Sequence, residues 1–356
     1  MRILITGGSG FIGSALVRLF IENGSYNVLN LDKLTYAGSA GNLDSFAQHN
    51  RYQFVQGDIC NINILRKVFS EFQPDQVYHL AAESHVDRSI DNPITFINTN
   101  ILGSYHLLET SLNYYNNLSH NKAKKFRFIH ISTDEVFGSL SLTNNAFNRS
   151  TSYNPRSPYA ASKAASDHIV RAWFHTYGLP IIVTNCSNNY GPFQFPEKFI
   201  PLMIINCLQE KPLPIYGNGS NIRDWLHVND HCRALQMIGS NGIIGQTYML
   251  GGNSERTNVE IVTHLCEILD RNYPRSSNKK YSELIEYVSD RPGHDLRYAI
   301  DTTQTVNEIG WTPLIGLKDG LDETVKWYVE HKDWWQNILN IQYDGKRLGL
   351  NNKGIS

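Results

Sequence analysis

The chain has 356 residues, 41% of them hydrophobic and 18% charged, enough apolar material to bury a core of two lobes and too much for a disordered chain. Lys and Arg number 32 against 33 Asp and Glu, a formal net charge of −1, so whole-molecule electrostatics give no reason to expect nucleic acid or an anionic membrane as a partner. The five cysteines (Cys60, Cys186, Cys207, Cys232, Cys266) are scattered and form no CxxC, which argues against a disulfide framework or zinc cluster. No metal, no signal peptide, no membrane span and a cytoplasmic location are the resulting expectations.

In chain order, residues 2–6 (RILIT) predict a first strand, followed by Gly7, Gly10 and Gly13 and by an apolar pattern of helical period over 11–23. Short, largely apolar runs at 27–31, 52–56, 76–80, 126–132 and 180–185 predict further strands, with a second helical pattern over 61–72. The alternation predicts an α/β chain with a Rossmann-type, doubly wound parallel sheet, most strands covered on both faces. Lys122, Lys124 and Lys125 form the tight basic cluster and read as a solvated lead-in to the strand at 126. Beyond 185, Pro192, Pro196, Pro201, Pro212 and Pro214 punctuate the chain, and the helices read as shorter. The expected organisation is a dinucleotide-binding domain over 1–185 with a return segment near 222–250. A smaller C-terminal α/β substrate lobe over 186–343 and a loose tail over 344–356 complete it.

The opening MRILITGGSGFIG carries the strongest local signal. Glycine is required where a chain turns sharply off a strand, approaches a pyrophosphate without a Cβ and packs a new helix on the sheet. That helix then offers free N–H groups and the positive end of its dipole to phosphate. An isolated GxGxxG is weak, but here it follows a strand and opens a helix within a βαβ unit, the context it needs. Asp32 ends the second strand about twenty residues on, placed to accept hydrogen bonds from a ribose and to repel a 2′-phosphate, which favours NAD over NADP. Asp58 and Ile59 end the third strand near the expected adenine edge. Leu80, Ala81, Ala82 and Ser84, in LAAES, follow the fourth, with small residues suited to backbone contact.

Ser132-Thr133-Asp134-Glu135 falls at the carboxyl end of the strand FRFIHIS, the edge where ligands bind in open α/β sheets. Tyr159 and Lys163 are spaced i, i+4 in SPYAASKAASDHIV, which puts them on one face of a helix. An ordinary amphipathic helix shows the same spacing, but a lysine ammonium beside a phenol would lower the phenol pKa and make an acid/base at neutral pH. Thr133 is placed to hydrogen-bond the same substrate hydroxyl. Two adjacent carboxyl groups, Asp134 and Glu135, can divide acid and base roles if their surroundings separate their pKa values.

TGGSGFIG, Thr133 and the Tyr159/Lys163 pair together resemble the extended short-chain dehydrogenase/reductases that act on nucleotide sugars. The blocks LAAESHVDRSI, STDEVFG, SPYAASKA, TNCSNNYGP, FPEKFIP, RDWLHVNDH and DRPGHDLRYAID narrow the resemblance to the dTDP-glucose 4,6-dehydratases, over nearly the whole chain. The resemblance implies a homodimeric lyase in which tightly held NAD takes the C4 hydride and returns it to C6. Tyr159, with Lys163 and Thr133, would take the C4 hydroxyl proton, Glu135 the C5 proton, and Asp134 would protonate the departing C6 hydroxyl.

It further implies cofactor contacts from Phe11, Ile12, Lys33, Leu34, Thr35, Thr99 and Asn189, and from Ser84, Tyr159 and Lys163. For the nucleotide-diphospho-glucose it implies Ser84, Thr133, Asn188, Lys198, Phe199, Pro214, Tyr216, Arg223, Asn258, Asp290, Arg291 and His294. Arg223, Lys198 and Arg291 are sensible diphosphate partners, Arg in bidentate fashion. The dimer would form through helices around 95–113 and 158–177, whose apolar faces are equally compatible with core. Two positions depart from the family pattern: Phe137 stands where tyrosine is usual, keeping the ring, and Arg149 where glutamate is usual, changing local ion pairing. A UDP-glucose dehydratase, a nucleotide-sugar 4-epimerase or decarboxylase, and a non-catalytic NAD-binding protein are the competing readings.

Overall fold

The computed structural model describes residues 1–290 and 293–341, without the side chains of Ala40 and Ile341. Among the described residues, strands β1 (Arg2–Thr6), β2 (Asn27–Asp32), β3 (Tyr52–Gln56), β4 (Gln76–His79), β5 (Arg127–Thr133) and β6 (Ile181–Cys186) alternate with helices in the first half. The second half supplies β7 (Asn188–Tyr190), β8 (Leu213–Tyr216), β9 (Ile222–His227), β10 (Thr247–Leu250), β11 (Glu255–Thr257) and β12 (Ile285–Val288). Seven of them form one sheet in the order β10-β6-β5-β4-β1-β2-β3, and every pairing within it is parallel. The doubly wound sheet read from the sequence is thus the observed one, with its order reversing between β1 and β4. A crevice opens outside the strand ends at such a reversal.

Period-two alternation sends successive residues to opposite faces of the sheet, and the core divides accordingly. Ile3 and Ile5 join Leu16, Val17 and Phe20 of the helix Phe11–Glu22, together with Leu235 and Ile238 of the helix Val228–Asn241. Leu4 and Val77 pack on the other side with Leu65 and Phe69 of the helix Ile62–Phe72 and with Leu107 and Val170. A separate core holds Met203, Ile204, Ile261, Leu265, Leu321 and Val325, around the helices Phe199–Leu208, Asn258–Asn272 and Leu317–Glu330.

Several expectations are corrected. β3 is the edge strand of the sheet, and its Gln53, Phe54 and Gln56 are exposed, so it is not covered on both faces. β4 stops at His79, leaving Leu80 as the first loop residue, while β2 runs on through Asp32 and β5 through Thr133. Helices beyond residue 185 are not short: those starting at Val228, Asn258 and Leu317 have 14, 15 and 14 residues. Their many polar positions hide narrow apolar stripes that face only one core. Lys122, Lys124 and Lys125 are exposed just ahead of β5. The tail expected over 344–356 lies outside the described residues.

Candidate active site

The chain leaves β1 at Gly7 with φ of +74°, a left-handed conformation in which a Cβ would stand 2.6 Å from the Ala81 amide nitrogen. A Cβ on Gly13 would stand 2.1 Å from the Gly7 carbonyl oxygen. At these two positions no side chain can be accommodated, so backbone faces the crevice there. The helix Phe11–Glu22 has no side-chain cap and no acidic residue in its first turn, leaving its N-terminal N–H groups for an anionic ligand. Asp32 is buried, its Oδ2 accepting from Ser9 N at 2.9 Å and its Oδ1 from Leu34 N at 2.8 Å. Burial raises its pKa despite those two bonds, and lone pairs remain for a hydroxyl.

A cavity of about 300 Å³ runs along this edge. It is lined by Gly7, Gly10, Phe11, Ile12, Gly13, Asp32, Lys33, Thr35, Asp58, Ile59, Leu80, Ala81, Ala82, Ser84, Thr99, Thr133, Asp134, Glu135, Tyr159, Lys163, Asn188, Asn189 and Lys198. Leu34 does not line it: at φ of 57° it turns the loop, and it acts through its N–H on Asp32. Lys33 pairs with Asp58 at 2.7 Å, which joins the ends of β2 and β3. A second cavity, of about 210 Å³, continues from the first at Ser84, Glu135, Asn188, Asn189 and Lys198 and is lined further by Phe199, Pro214, Tyr216, Arg223, Asn258 and His294. Asp290 stays off that lining and pairs with His294 Nδ1 at 2.7 Å, while Arg291 lies outside the described residues.

Where the cavities meet, β5 ends on Thr133 and a 3-10 turn carries Asp134 and Glu135. Thr133 Oγ1 donates to Asp134 Oδ1 at 3.2 Å and accepts from Glu135 N at 3.3 Å. Asp134 is 1% exposed, and burial followed by the neighbouring Glu135 charge pushes its carboxyl well above the usual range. Glu135 is half-buried and faces both cavities. The two acids thus occupy different environments, as an acid/base division requires.

Ser157 caps the helix Pro158–Tyr177 and Pro158 takes its first position, which sets Tyr159 in the first turn and Lys163 one turn on. The pair meets the crevice as the spacing predicts, but the electrostatics differ. Lys163 Nζ donates to the Ile131 carbonyl at 2.8 Å and does not hold the phenol down. Burial, then the charges of Glu135, Cys186 and Asp134, push the Tyr159 phenol well above 10, with the Thr133 hydroxyl pulling the other way. Burial also lowers the Lys163 pKa.

Sequence reasoning missed Asn100. It sits inside a π-helical turn, Ile97–Gly103, a local irregularity that frequently marks functional sites. Its Oδ1 accepts from Glu83 N at 2.8 Å and its Nδ2 donates to Glu83 O at 3.0 Å, which pins the loop after β4. Glu197 was also missed, although its block FPEKFIP was noticed: buried, it accepts from Arg88 at 2.9 Å and lines the second cavity. Arg223 is 5% exposed and gives its N–H groups to the carbonyls of Ile222, Asp295 and Leu296, with its guanidinium 4.2 Å over the Tyr298 ring. At the departures from the family pattern, Phe137 stacks on Phe147 at 5.1 Å, and Arg149 pairs with Glu308 and Gln246.

The residues present fit a dinucleotide in the first cavity. Backbone excludes a Cβ at Gly7 and Gly13, and Ser132 Oγ, Asp134 Oδ2 and Asn188 Oδ1 are buried without a protein partner, as atoms meant for a ligand are.

The doubly wound sheet, the glycine cradle and the Thr-Tyr-Lys set at the sheet edge define a short-chain dehydrogenase/reductase-type protein with a second cavity adjoining the first. The family model described as GDP-mannose 4,6 dehydratase matches residues 4–324. A dTDP-glucose 4,6-dehydratase of Neisseria meningitidis serogroup B is 53% identical over 98% of this chain and 99% of its own, and one of Escherichia coli is 51% identical over the same shares. Among solved structures, the dTDP-glucose 4,6-dehydratase of Bacillus anthracis in complex with NAD has a TM-score of 0.84 at 42% identity, covering 95% of this chain and 99% of its own. DesIV, the dTDP-glucose 4,6-dehydratase of Streptomyces venezuelae, solved with NAD and dTDP bound, reaches 0.86 at 40% identity, covering 95% and 100%. The chain belongs to the dTDP-glucose 4,6-dehydratase family.

Proposed function

We propose that the protein is an NAD-dependent hydro-lyase that converts dTDP-glucose to dTDP-4-keto-6-deoxy-glucose, the activity its relatives' names carry. The observation that supports this most is the acid pair at the junction of the cavities, with Asp134 buried and its carboxyl pushed well above the usual range beside half-buried Glu135. An oxidation at C4 alone needs no such pair; loss of water across C5 and C6 needs both an acid and a base.

NAD, held by the glycine cradle and Asp32, supplies when bound an acceptor and donor of one hydride. Tyr159 takes the proton of the C4 hydroxyl once its own phenol, which burial holds neutral here, has ionised. The positive charges of Lys163 and of bound NAD would favour that ionisation. Thr133, already donating to Asp134, lies beside Tyr159. Lys163 fixes the helix to β5 through the Ile131 carbonyl and contributes positive charge beneath the site. Glu135 removes the C5 proton, made acidic by the C4 ketone, and Asp134 donates its proton to the departing C6 hydroxyl. Burial prepares Asp134 for that task, since a carboxyl ionised at neutral pH has no proton to give. Lys198 and Arg223, on the second cavity, face the diphosphate.

Two further assignments rest on the same reading. A homodimer through the helices 93–116 and 158–177 is supported by exposed Ile94, Ile97, Leu102, Tyr105 and Tyr177. The scattered cysteines support a cytoplasmic location. The test is incubation of the purified protein with dTDP-glucose and UDP-glucose in parallel. Loss of one water from dTDP-glucose, with deuterium placed at C4 recovered at C6, is the expected outcome. Water loss from UDP-glucose alone reassigns the base, and an isomer of unchanged mass replaces the dehydratase with an epimerase.

A further inference from the structure

The C-terminal helix Lys332–Ile341 lies far from the cofactor cradle in sequence, yet it touches the segment that supports it. Trp334 Nε1 donates to Asn42 Oδ1 at 3.0 Å. Asn42, 4% exposed, donates through Nδ2 to the Ser9 carbonyl at 2.9 Å, and Ser39 N donates to the same carbonyl at 3.1 Å. Ser9 is the residue between the cradle glycines, and its own N–H goes to Asp32 Oδ2. A continuous path of three hydrogen bonds therefore joins the Trp334 indole to the Asp32 carboxylate.

Packing reinforces the path. Ile338 and Phe195 form a small buried cluster with Tyr36, Trp334 and Leu339, and the rings of Tyr36 and Phe195 meet edge to face at 5.7 Å. Phe195 lines the first cavity and Tyr36 follows Thr35, which lines it too. Phe193, held at φ of 65°, is wedged between the Arg18 guanidinium at 4.2 Å and the Trp334 ring at 5.8 Å. The helix thus braces both the loop after β2 and the segment 193–198.

We propose that Trp334 and Asn42 are positioning residues for the bound cofactor, and that the C-terminal helix acts through them to slow its escape. This rests on the proposed NAD-dependent function. A hydride acceptor regenerated within every turnover gains nothing from leaving, so a brace against loop opening suits that chemistry. Trp334 lines neither cavity, so its effect runs through the Asn42–Ser9 path and through the rings packed with it. Trp334→Phe separates the first from the second by keeping a ring.

The test measures the rate at which NAD leaves the loaded protein when chased with excess fluorescent etheno-adenine NAD. Trp334→Phe keeps the ring and removes the N–H; loss of one part-buried hydrogen bond in the bound state is expected to speed release about tenfold. Asn42→Ala should speed release at least as much, and the double variant should match Asn42→Ala alone, because both changes cut one path. Should Trp334→Phe not fold, Asn42→Asp keeps the acceptor for the indole, removes the donor to Ser9, and is expected to show the same acceleration. Release within twofold of wild type in these variants, or accelerations that multiply in the double variant, overturns the proposal. A wild-type protein that takes up no NAD overturns the functional reading as well, whereas slow wild-type release with unaltered variants overturns this inference alone.

Discussion

Asn185 Nδ2 stands 3.3 Å from Asp167 Oδ2 and 3.0 Å from the Thr133 carbonyl, so a single amide ties a buried carboxylate on the helix of Tyr159 to the last residue of β5. Asp167 also accepts from Tyr153 OH at 2.8 Å and lies 3.0 Å from His130 Nε2. Against the upward push of complete burial, the His130 bond and the nearby charges of Lys163 and Arg171 hold its pKa below 3.8, while burial takes His130 down to about 4. The imidazole is therefore neutral at pH 7 and donates Nε2–H to the carboxylate.

Burial of a neutral imidazole, shared by three further histidines with other partners, predicts acid lability. Burial lowers the pKa of His227 to about 4 and of His231 to about 3, and takes His79 well below 6.5. A group whose folded pKa is depressed contributes stability above its unfolded pKa and loses it as pH falls through the folded one. The four histidines together should remove several kcal/mol, on the order of 1 to 3 each, between about pH 6.5 and pH 4. Urea unfolding across that range should show the free energy dropping with proton uptake; a flat profile contradicts the buried neutral rings. Asp167→Asn should cost about 3 kcal/mol at pH 7, measured in the same way.

Asp134→Asn separates stability from activity. The folded pKa of Asp134 lies well above 3.8, so its contribution to stability is fully present only below about 3.8 and is lost as pH rises toward the folded value. Asparagine does not titrate. Relative to wild type, the variant should therefore gain stability as pH rises, on the order of 1 kcal/mol by pH 8, while kcat falls about 10²- to 10⁴-fold. Thermal melts at pH 5 and 8 beside initial rates with dTDP-glucose read both. A variant equally active and no more stable would contradict the buried-acid assignment.

Gly13→Ala tests the cradle without touching any reacting group. The added methyl would meet the Gly7 carbonyl oxygen at 2.1 Å, and both partners are backbone, so neither can swing aside. The loop must shift, and NAD affinity measured by calorimetry should fall by about 100-fold or more, roughly 3 kcal/mol.

Arg149→Glu probes one departure from the family pattern. The pair with Glu308 is only partly buried, with 18% and 24% of the two side chains exposed, so solvent screens much of it. Reversal places two acids together and also removes the bond to Gln246; about 1 kcal/mol of stability should be lost in urea titration. Arg149 lies away from both cavities, so steady-state KM for dTDP-glucose should hold.

The fold was legible because its signals are short-range. Buried strands such as IIVTNC announce themselves by composition, and the glycine spacing is a property of one loop. The position of Lys163 one turn beyond Tyr159 follows from helix geometry. What Lys163 does was not legible: the sequence suggests a phenol lowered by the ammonium, whereas the amine is spent on the Ile131 carbonyl and burial governs the phenol. Asn100 and Glu197 escaped for a related reason, since each acts through partners distant in the chain, Glu83 and Arg88.

The sequence by itself therefore determined the parallel sheet, the glycine cradle and the order in which the side chains proposed to react arrive, all set by backbone preference and local period. Only the tertiary structure decided which carboxyl has its pKa raised, which arginine is occupied by carbonyls, and that Trp334 reaches Asn42. Those outcomes depend on desolvation and on contacts between residues far apart in the chain, and neither quantity has a local signature.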